Sequence, residues 1–483
     1  LKRNFITNLA LLLFLNLLIK PVYAFGIDVG VQNVVGSSTY GNYFILLNFS
    51  LIFQILLDLG IENFTRREIA QHGHLLNKYF SNILPLKIIL GVGYFAACSV
   101  IGIFLGWNIS EFSLLFILLF NQFLASFILY CRANLGGLHL FRADSILSVV
   151  DRFIVILICG MLLLNPITRR NFHIEWLIYA QSFAYLITAG IAFGLVFSRA
   201  LPEHFNFNLN YYRVFLKRSL PFALLILLMA TYTRIDSVLL GKLLVNGKEQ
   251  AGIYAQSFRI IEILTNYGYL FTIILLPVFS RMLQHGESVE QLTRLSFTLL
   301  FVPALVMAFG CMNYRYEIID LLYNEHVRNS APVFGILIFS FLGICMTYIF
   351  GTLLTANGSL RQLNVMAVIA LVLNLGLNFL LIRRYGVAGA AAASMGTQLF
   401  TSVYQLLLVK RIFRFAINYD FLMRLAFFIA LIALSSFLVR KVPVSWVYSF
   451  SIYIISGMLL ALLTGLLNVK AMFRLVRSLP DPS

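Results

Sequence analysis

Charge is scarce in this chain. Asp, Glu, Lys and Arg make up 11% of its 483 residues, against about 25% in a soluble globular domain. With 60% hydrophobic residues, that scarcity excludes a soluble enzyme and a disordered protein. Cysteine is also scarce. Cys98, Cys131, Cys159, Cys311 and Cys345 sit in or beside apolar runs, and no two form a CxxC pair. A disulfide scaffold or a zinc or redox motif is therefore not expected, and these residues read as small apolar helix residues. Short alternating segments are missing too, which argues against a transmembrane β-barrel. The catalytic repertoire is empty: there is no P-loop, no HExxH and no nucleophile elbow. An ATP-driven pump within this chain is excluded on that ground, and no cofactor is called for. Energy for any transport would come from an ion gradient, the membrane potential or the substrate gradient.

Long apolar runs are what the chain does have. Mean hydropathy is +0.89. About 290 residues are apolar, enough for about fourteen spans at roughly 20 residues each. Runs of spanning length lie at 4–26, 41–61, 84–106, 112–133, 144–164, 174–198, 218–243, 250–276, 295–313, 331–354, 364–382, 387–409, 421–439 and 445–467. Breaks such as Gly36-Ser37-Ser38, Asn165-Pro166 and Lys441-Val442-Pro443 separate them. The expected fold class is an all-α integral membrane protein with about fourteen transmembrane helices. Lys2-Arg3 and Val22-Tyr23-Ala24 give the first run the look of a secretory signal. Its internal Lys20 and its continuation to Phe25-Gly26 favour a retained span.

The excess of 36 Lys and Arg over 19 Asp and Glu, a net +17, follows topology. With the N-terminus in the cytoplasm, 23 basic residues, Lys87 among them, fall on the cytoplasmic side and 10 outside. Three, Lys20, Arg234 and Arg259, remain within helices. That is the positive-inside bias, so nucleic acid is not an expected partner, and both termini come out cytoplasmic. The longest connection, 62–83, mixes Phe64, Ile69, Leu76, Tyr79 and Phe80 with basic residues. It reads as an amphipathic helix on the cytoplasmic face.

Six helices per half would give two halves of the same orientation. The expected division is 1–200 (helices 1–6), a cytoplasmic linker at 201–217, 218–411 (helices 7–12), and 412–483 (helices 13–14 and a cytoplasmic tail). Two weak echoes support a repeat. Lys20 and Arg234 lie at the same depth of their segments, and each following helix opens on Gly-x-Tyr: Gly41-Asn42-Tyr43 and Gly252-Ile253-Tyr254.

A charge at mid-membrane costs about 2.5–3.5 kcal/mol on insertion scales, so each one requires a partner, a wet cavity or a nearby interface. Asn4, Asn8, Asn16 and Lys20 share one helix face by their spacing, which points to a wet cavity or to Lys20 snorkelling to the interface. Arg234 and Asp236, two apart, face different directions. Arg234 reads as a cavity residue, while Asp236 is open between an interhelical ion pair and ion coupling. Arg259 and Glu262, three apart, are expected to pair, either as a static pair or as a proton-coupling group. Asp58, Asp144, Asp151 and Arg152 near cytoplasmic helix ends are expected to make gate or packing contacts between the halves, with substrate contact the alternative; Asp58, Asp151 and Arg152 are the candidate gate residues. His72, His74 and His139 read as interfacial. Asn374 and Asn378, on one face, are expected to make helix–helix hydrogen bonds.

Several stretches resemble the bacterial polysaccharide-unit flippases (the O-antigen, Wzx-like type) of the multidrug/oligosaccharidyl-lipid/polysaccharide exporter superfamily. They are Tyr40-Gly41-Asn42-Tyr43 through Leu57-Asp58-Leu59-Gly60-Ile61, Arg66-Arg67-Glu68-Ile69-Ala70, Arg234-Ile235-Asp236 with Leu240-Gly241, and Pro277-Val278-Phe279-Ser280-Arg281. Thr355-Ala356-Asn357-Gly358 and Gly386-Val387-Ala388-Gly389-Ala390-Ala391 complete the set. The motifs are short, but their order covers nearly the whole chain. The resemblance implies two six-helix lobes in a V around a cavity, plus two C-terminal helices. It implies transfer of an undecaprenyl-pyrophosphate-linked oligosaccharide from the cytoplasmic to the outer leaflet of the bacterial inner membrane, as part of polysaccharide or lipopolysaccharide synthesis. Membrane lipids, a polysaccharide polymerase and a chain-length regulator are the implied partners. Lys20, Arg234 and Arg259, with Asn16, Tyr232, Tyr254 and Tyr267, would neutralise pyrophosphate and stack on sugars. A lipid II-type flippase, a drug extruder of the same superfamily and a membrane-embedded polysaccharide polymerase or ligase are the alternatives.

Overall fold

The computed structural model describes residues 14–72, 74, 76–200, 207, 209–416 and 418–467. Among the described residues the chain is helical, with no strand. Twelve helices are long and apolar enough to cross a membrane, and a bent pair makes up to thirteen. The first is α1, Phe14–Val35. Next come α2, Ser37–Ile52, and α3, Ile61–Gln71, which belong to the pair bent by 49°. They are followed by α4, Leu76–Phe104, α5, Ile109–Gly137, α6, Phe141–Leu164, the short α7, Pro166–Arg170, and α8, Ile174–Ala200. Then come α9, Leu209–Leu243, α10, Gly247–Gln284, α11, Glu290–Asn313, the short α12, Arg315–Leu322, and α13, Val327–Ala356. The last three are α14, Leu360–Phe413, α15, Tyr419–Val439, and α16, Trp446–Leu463.

Helix α14 reconciles these helices with the fourteen apolar runs. Its 54 residues would extend about 80 Å if straight, far beyond a hydrocarbon core of about 30 Å. It breaks at Gly386, whose φ of 58° and ψ of −133° are not helical. An L side chain rarely adopts that backbone, so glycine marks the turn between two arms. Each expected run lies on one of these helices or arms, the first from residue 14 onward. Asn4 and Asn8 lie outside the described residues.

Two boundaries differ from expectation. The second span does not run straight to residue 61. It ends at Ile52, passes through a 3₁₀ turn at Gln54–Leu57 and changes direction at Leu59-Gly60 before α3. The connection 62–83 is also shorter than read, because 76–83 is the first part of α4. Helix α3 is amphipathic as expected. Ile61, Thr65 and Ile69, four apart, are buried, with Ile69 against Gly137 of α5.

The chain divides into two compact units, Leu1–Ala255 and Gln256–Ser483. The division falls within α10, whereas the expected one runs through 201–217. Helix α9 therefore belongs with the first unit. There, Gly41 of α2 and Gly252 of α10 meet backbone to backbone. A Cβ on Gly252 would sit 1.9 Å from the Ser37 carbonyl oxygen, and one on Gly41 would sit 1.8 Å from that of Lys248. Gln32 Nε2 donates to the Gly252 carbonyl at 2.9 Å. The two Gly-x-Tyr openings thus form a small-residue crossing of the kind that lets membrane helices approach closely.

Candidate functional site

The first unit holds a polar interior. Pro21 lacks an N–H to donate, and just past it α1 widens into a π-helix over Val22–Asp28. Such widenings recur at functional positions. Half-buried Lys20 stands immediately before this stretch, and buried Asp28 ends it. The charges acting on Lys20 are Arg152, Arg132 and Asp151. Those acting on Arg152 include Asp151 and Asp28, with Tyr185 and Tyr23 beside them. Asp151 and Arg152 pair at 3.8 Å. Gln181 of α8 donates to Tyr23 Oη at 2.9 Å and to Tyr43 Oη at 3.3 Å. One helix turn before Lys20, Asn16 donates to Ser148 Oγ at 3.0 Å. Lys20, Asn16, Asp151 and Arg152 are therefore brought together. Around Lys20 the cations Arg132 and Arg152 stand with Asp151, which pairs with Arg152.

Arg234 and Asp236 take separate partners, as their two-residue spacing requires. Arg234 Nη1 donates to Asn48 Oδ1 of α2 at 2.8 Å. Fully buried Asp236 accepts from Tyr254 Oη of α10 at 3.0 Å. Tyr232 and Tyr254 are 2% and 1% exposed, so in this conformation neither presents a ring face for stacking. Tyr267, by contrast, is exposed.

Asp58 is the hub of the bend before α3. Its carboxylate accepts the backbone N–H of Gly60 and of Glu62, each at 3.1 Å, and so caps the start of α3. On its other side it meets Lys87 Nζ at 3.1 Å. Lys87 is 2% exposed. It also donates to the Leu57 carbonyl and to Ser126 Oγ, both at 2.9 Å. All three ammonium donors are thus used. The charge tally assigns Lys87 to the cytoplasmic side without a partner, and the structure supplies one in Asp58. The signal was available: Asp58 needed a counter-charge, and Lys87 is the one basic residue inside the run 84–106. Buried Asp144 similarly holds Arg132 Nε at 2.7 Å and reaches Arg66 Nη1 at 4.0 Å. Asp58 and Asp144 thus make packing contacts inside the first unit.

The second unit uses fewer charges. Arg259 Nη1 and Glu262 Oε2 pair at 2.8 Å along α10, the expected i, i+3 pair. Below them, Ser257 Oγ donates to the Ser330 carbonyl at 3.0 Å, and Ser330 Oγ donates to Gln256 Oε1. Asn374 Nδ2 donates to Thr397 Oγ1 at 3.4 Å across the two arms of α14, and Asn378 Nδ2 donates to Asn374 Oδ1 at 3.1 Å. The first is the helix–helix bond expected of this pair, while the second runs along one arm. No cluster of three His, Cys, Asp or Glu able to hold a metal occurs among the described residues.

Comparison with known structures places this helical arrangement. A lipid II flippase, MurJ in an inward closed conformation, aligns with a TM-score of 0.69 at 14% identity, covering 93% of this chain and 98% of that one. An inward-facing multidrug resistance transporter of the MATE family aligns at 0.63 and 14% identity, over 81% and 94%. A MOP superfamily transporter from Pyrococcus furiosus aligns at 0.60 and 15% identity, over 85% and 96%. At these identities the likeness is one of fold. No match among curated proteins was found. The polysaccharide biosynthesis protein family matches residues 6–283, more than half of the chain, and the protein belongs to that family.

Proposed function

We propose that the protein is a flippase for lipid-linked oligosaccharide. In this reading it moves an undecaprenyl-pyrophosphate-linked repeat unit from the cytoplasmic to the outer leaflet of the bacterial inner membrane by alternating access. The observation that carries the reading is the polysaccharide biosynthesis family match on a fold shared along nearly its whole length with a lipid II flippase. The candidate contacts for the diphosphate are Lys20, Arg152 and Arg234 of the first unit. Guanidinium groups bind phosphate oxygens in a forked, charge-assisted way.

The Asp151–Arg152 pair shapes the proposed mechanism. Asp151 already pairs with Arg152, so an arriving diphosphate would compete with Asp151 for that guanidinium. Such exchange lets a charged head group bind and leave without a large change in net interior charge. Release of Asp151 is then the natural trigger for the change of access. Glu262 with Arg259, and Asp236 with Tyr254, are the candidate groups for coupling to an ion. Asp58 with Lys87, and Asp151 with Arg152, are the candidate gate contacts.

The likeness to a lipid II flippase favours one second reading, in which lipid II itself is the cargo. Purified protein in proteoliposomes separates the two. Under the first reading, lipid-diphosphate oligosaccharide crosses the bilayer faster than lipid II and than a sugar-free lipid phosphate. Equal or faster movement of lipid II replaces the first reading with the second. If nothing crosses but the sugar chain is extended or transferred, the protein is an enzyme of the same pathway and both readings fail.

A further inference from the structure

At the far end of α6 from Asp144, the chain turns through Asn165 and α7 into α8. A groove of about 440 Å³ lies between this turn and the end of α1, lined by Asn33, Val34, Leu164, Pro166, Arg169 and Arg170. The two arginines differ from several cations of the same unit. Lys87, Arg66, Arg67, Arg132, Arg152 and Lys248 each have a carboxylate within 4.0 Å. Among the described residues, Arg169 and Arg170 form no ion pair and no side-chain hydrogen bond.

The surroundings are those of a membrane surface. A span ends at Leu164. Leu164 and Ile167, flanking Pro166, are 84% and 74% exposed, as suits side chains that face lipid. Two unpaired guanidinium groups therefore line a groove with an apolar margin. Each can hold phosphate oxygens in a fork. Two phosphoryl groups in tandem match two adjacent cations better than a single one does. The apolar margin accepts the start of a lipid chain, which a free anion lacks.

We infer that this groove docks the diphosphate head group of a lipid at the membrane face opposite α3. The inference takes its cargo from the flippase reading. With the N-terminus in the cytoplasm, the groove lies on the outer face, where it would receive the translocated head group.

The test is binding of farnesyl diphosphate to the purified full-length protein in nanodiscs, with the interior contacts removed by Lys20→Ala/Arg234→Ala. In that background we expect saturable binding that Arg169→Gln/Arg170→Gln weakens by about tenfold or more. Arg169→Lys/Arg170→Lys should retain part of it. A monodisperse elution profile for each variant keeps a folding defect from being read as lost binding. Binding unchanged by the Gln pair overturns the site. Inorganic pyrophosphate bound as tightly as farnesyl diphosphate overturns the lipid assignment, and phosphatidylglycerol bound as tightly overturns the diphosphate assignment. A wild-type protein that docks farnesyl diphosphate in this groove yet moves no lipid-linked sugar sinks the flippase reading and leaves the site standing.

Discussion

The two units keep their interiors polar in different ways. Asp28, Lys87, Glu111, Asp144 and Asp236 are all buried, and all five lie in the first unit. Among the described residues of the second unit, the buried polar side chains are amides and hydroxyls such as Asn374, Asn378, Thr397, Gln398 and Gln405. A buried charge is expensive and depends on its partner. A membrane-embedded amide or hydroxyl contact is worth only about 0.6–2 kcal/mol. The first unit therefore adds a few high-stakes contacts to amide and hydroxyl contacts of the kind on which the second relies. Four of the five are carboxylates and Lys87 is fully engaged, so the proposed contacts with an anionic head group come from the less buried Lys20, Arg152 and Arg234 of the same unit.

The largest expected effect comes from breaking a buried pair in the first unit. Lys87→Met leaves Asp58 without its cation and should lower unfolding stability by about 3–5 kcal/mol. Denaturant unfolding in micelles measures it. Adding Asp58→Asn should recover part of the loss, since the unpaired charge causes most of it. Next in size is the glycine crossing. Gly252→Ala places a methyl against the Ser37 carbonyl and should cost about 1–3 kcal/mol in the same assay. An unchanged unfolding midpoint would show that the helices separate at no cost.

The second unit should respond more mildly. Asn374→Leu removes the bond to Thr397 and should cost about 0.6–1.7 kcal/mol. A loss as large as that of Lys87→Met would erase the contrast between the units. The smallest and most specific effect concerns the carboxylate that competes with substrate. Asp151→Asn should tighten binding of lipid diphosphate by a few-fold, up to about tenfold, because one anion no longer has to be displaced. Weaker binding would mean that Asp151 positions Arg152 rather than competing with cargo.

Much of this was legible in the sequence, because the spans are a matter of length and hydropathy. Local spacing was legible too. Arg259 and Glu262 pair, Arg234 meets Asn48 while Asp236 meets Tyr254, and Asn374 bonds across a helix boundary. Long-range pairing was less so. Lys87 looked like one more cytoplasmic cation, since its partners Leu57, Asp58 and Ser126 lie 29 to 39 residues away. Spacing rules reach about one helix turn. The bend at Leu59-Gly60 was hidden as well, because the apolar run continues across it. Asp28 was missed because it sits past the end of the first run as read, whereas the described helix carries on to Val35.

The central claim is that an anionic head group is moved by cations of the first unit. The direct test is transbilayer movement of lipid-diphosphate oligosaccharide in proteoliposomes, comparing wild type with Lys20→Ala and Arg234→Ala. The account predicts that wild type moves the lipid and that each variant is slower by about tenfold or more, with reconstitution yield and unfolding midpoint held. Movement at the wild-type rate in both variants would contradict it.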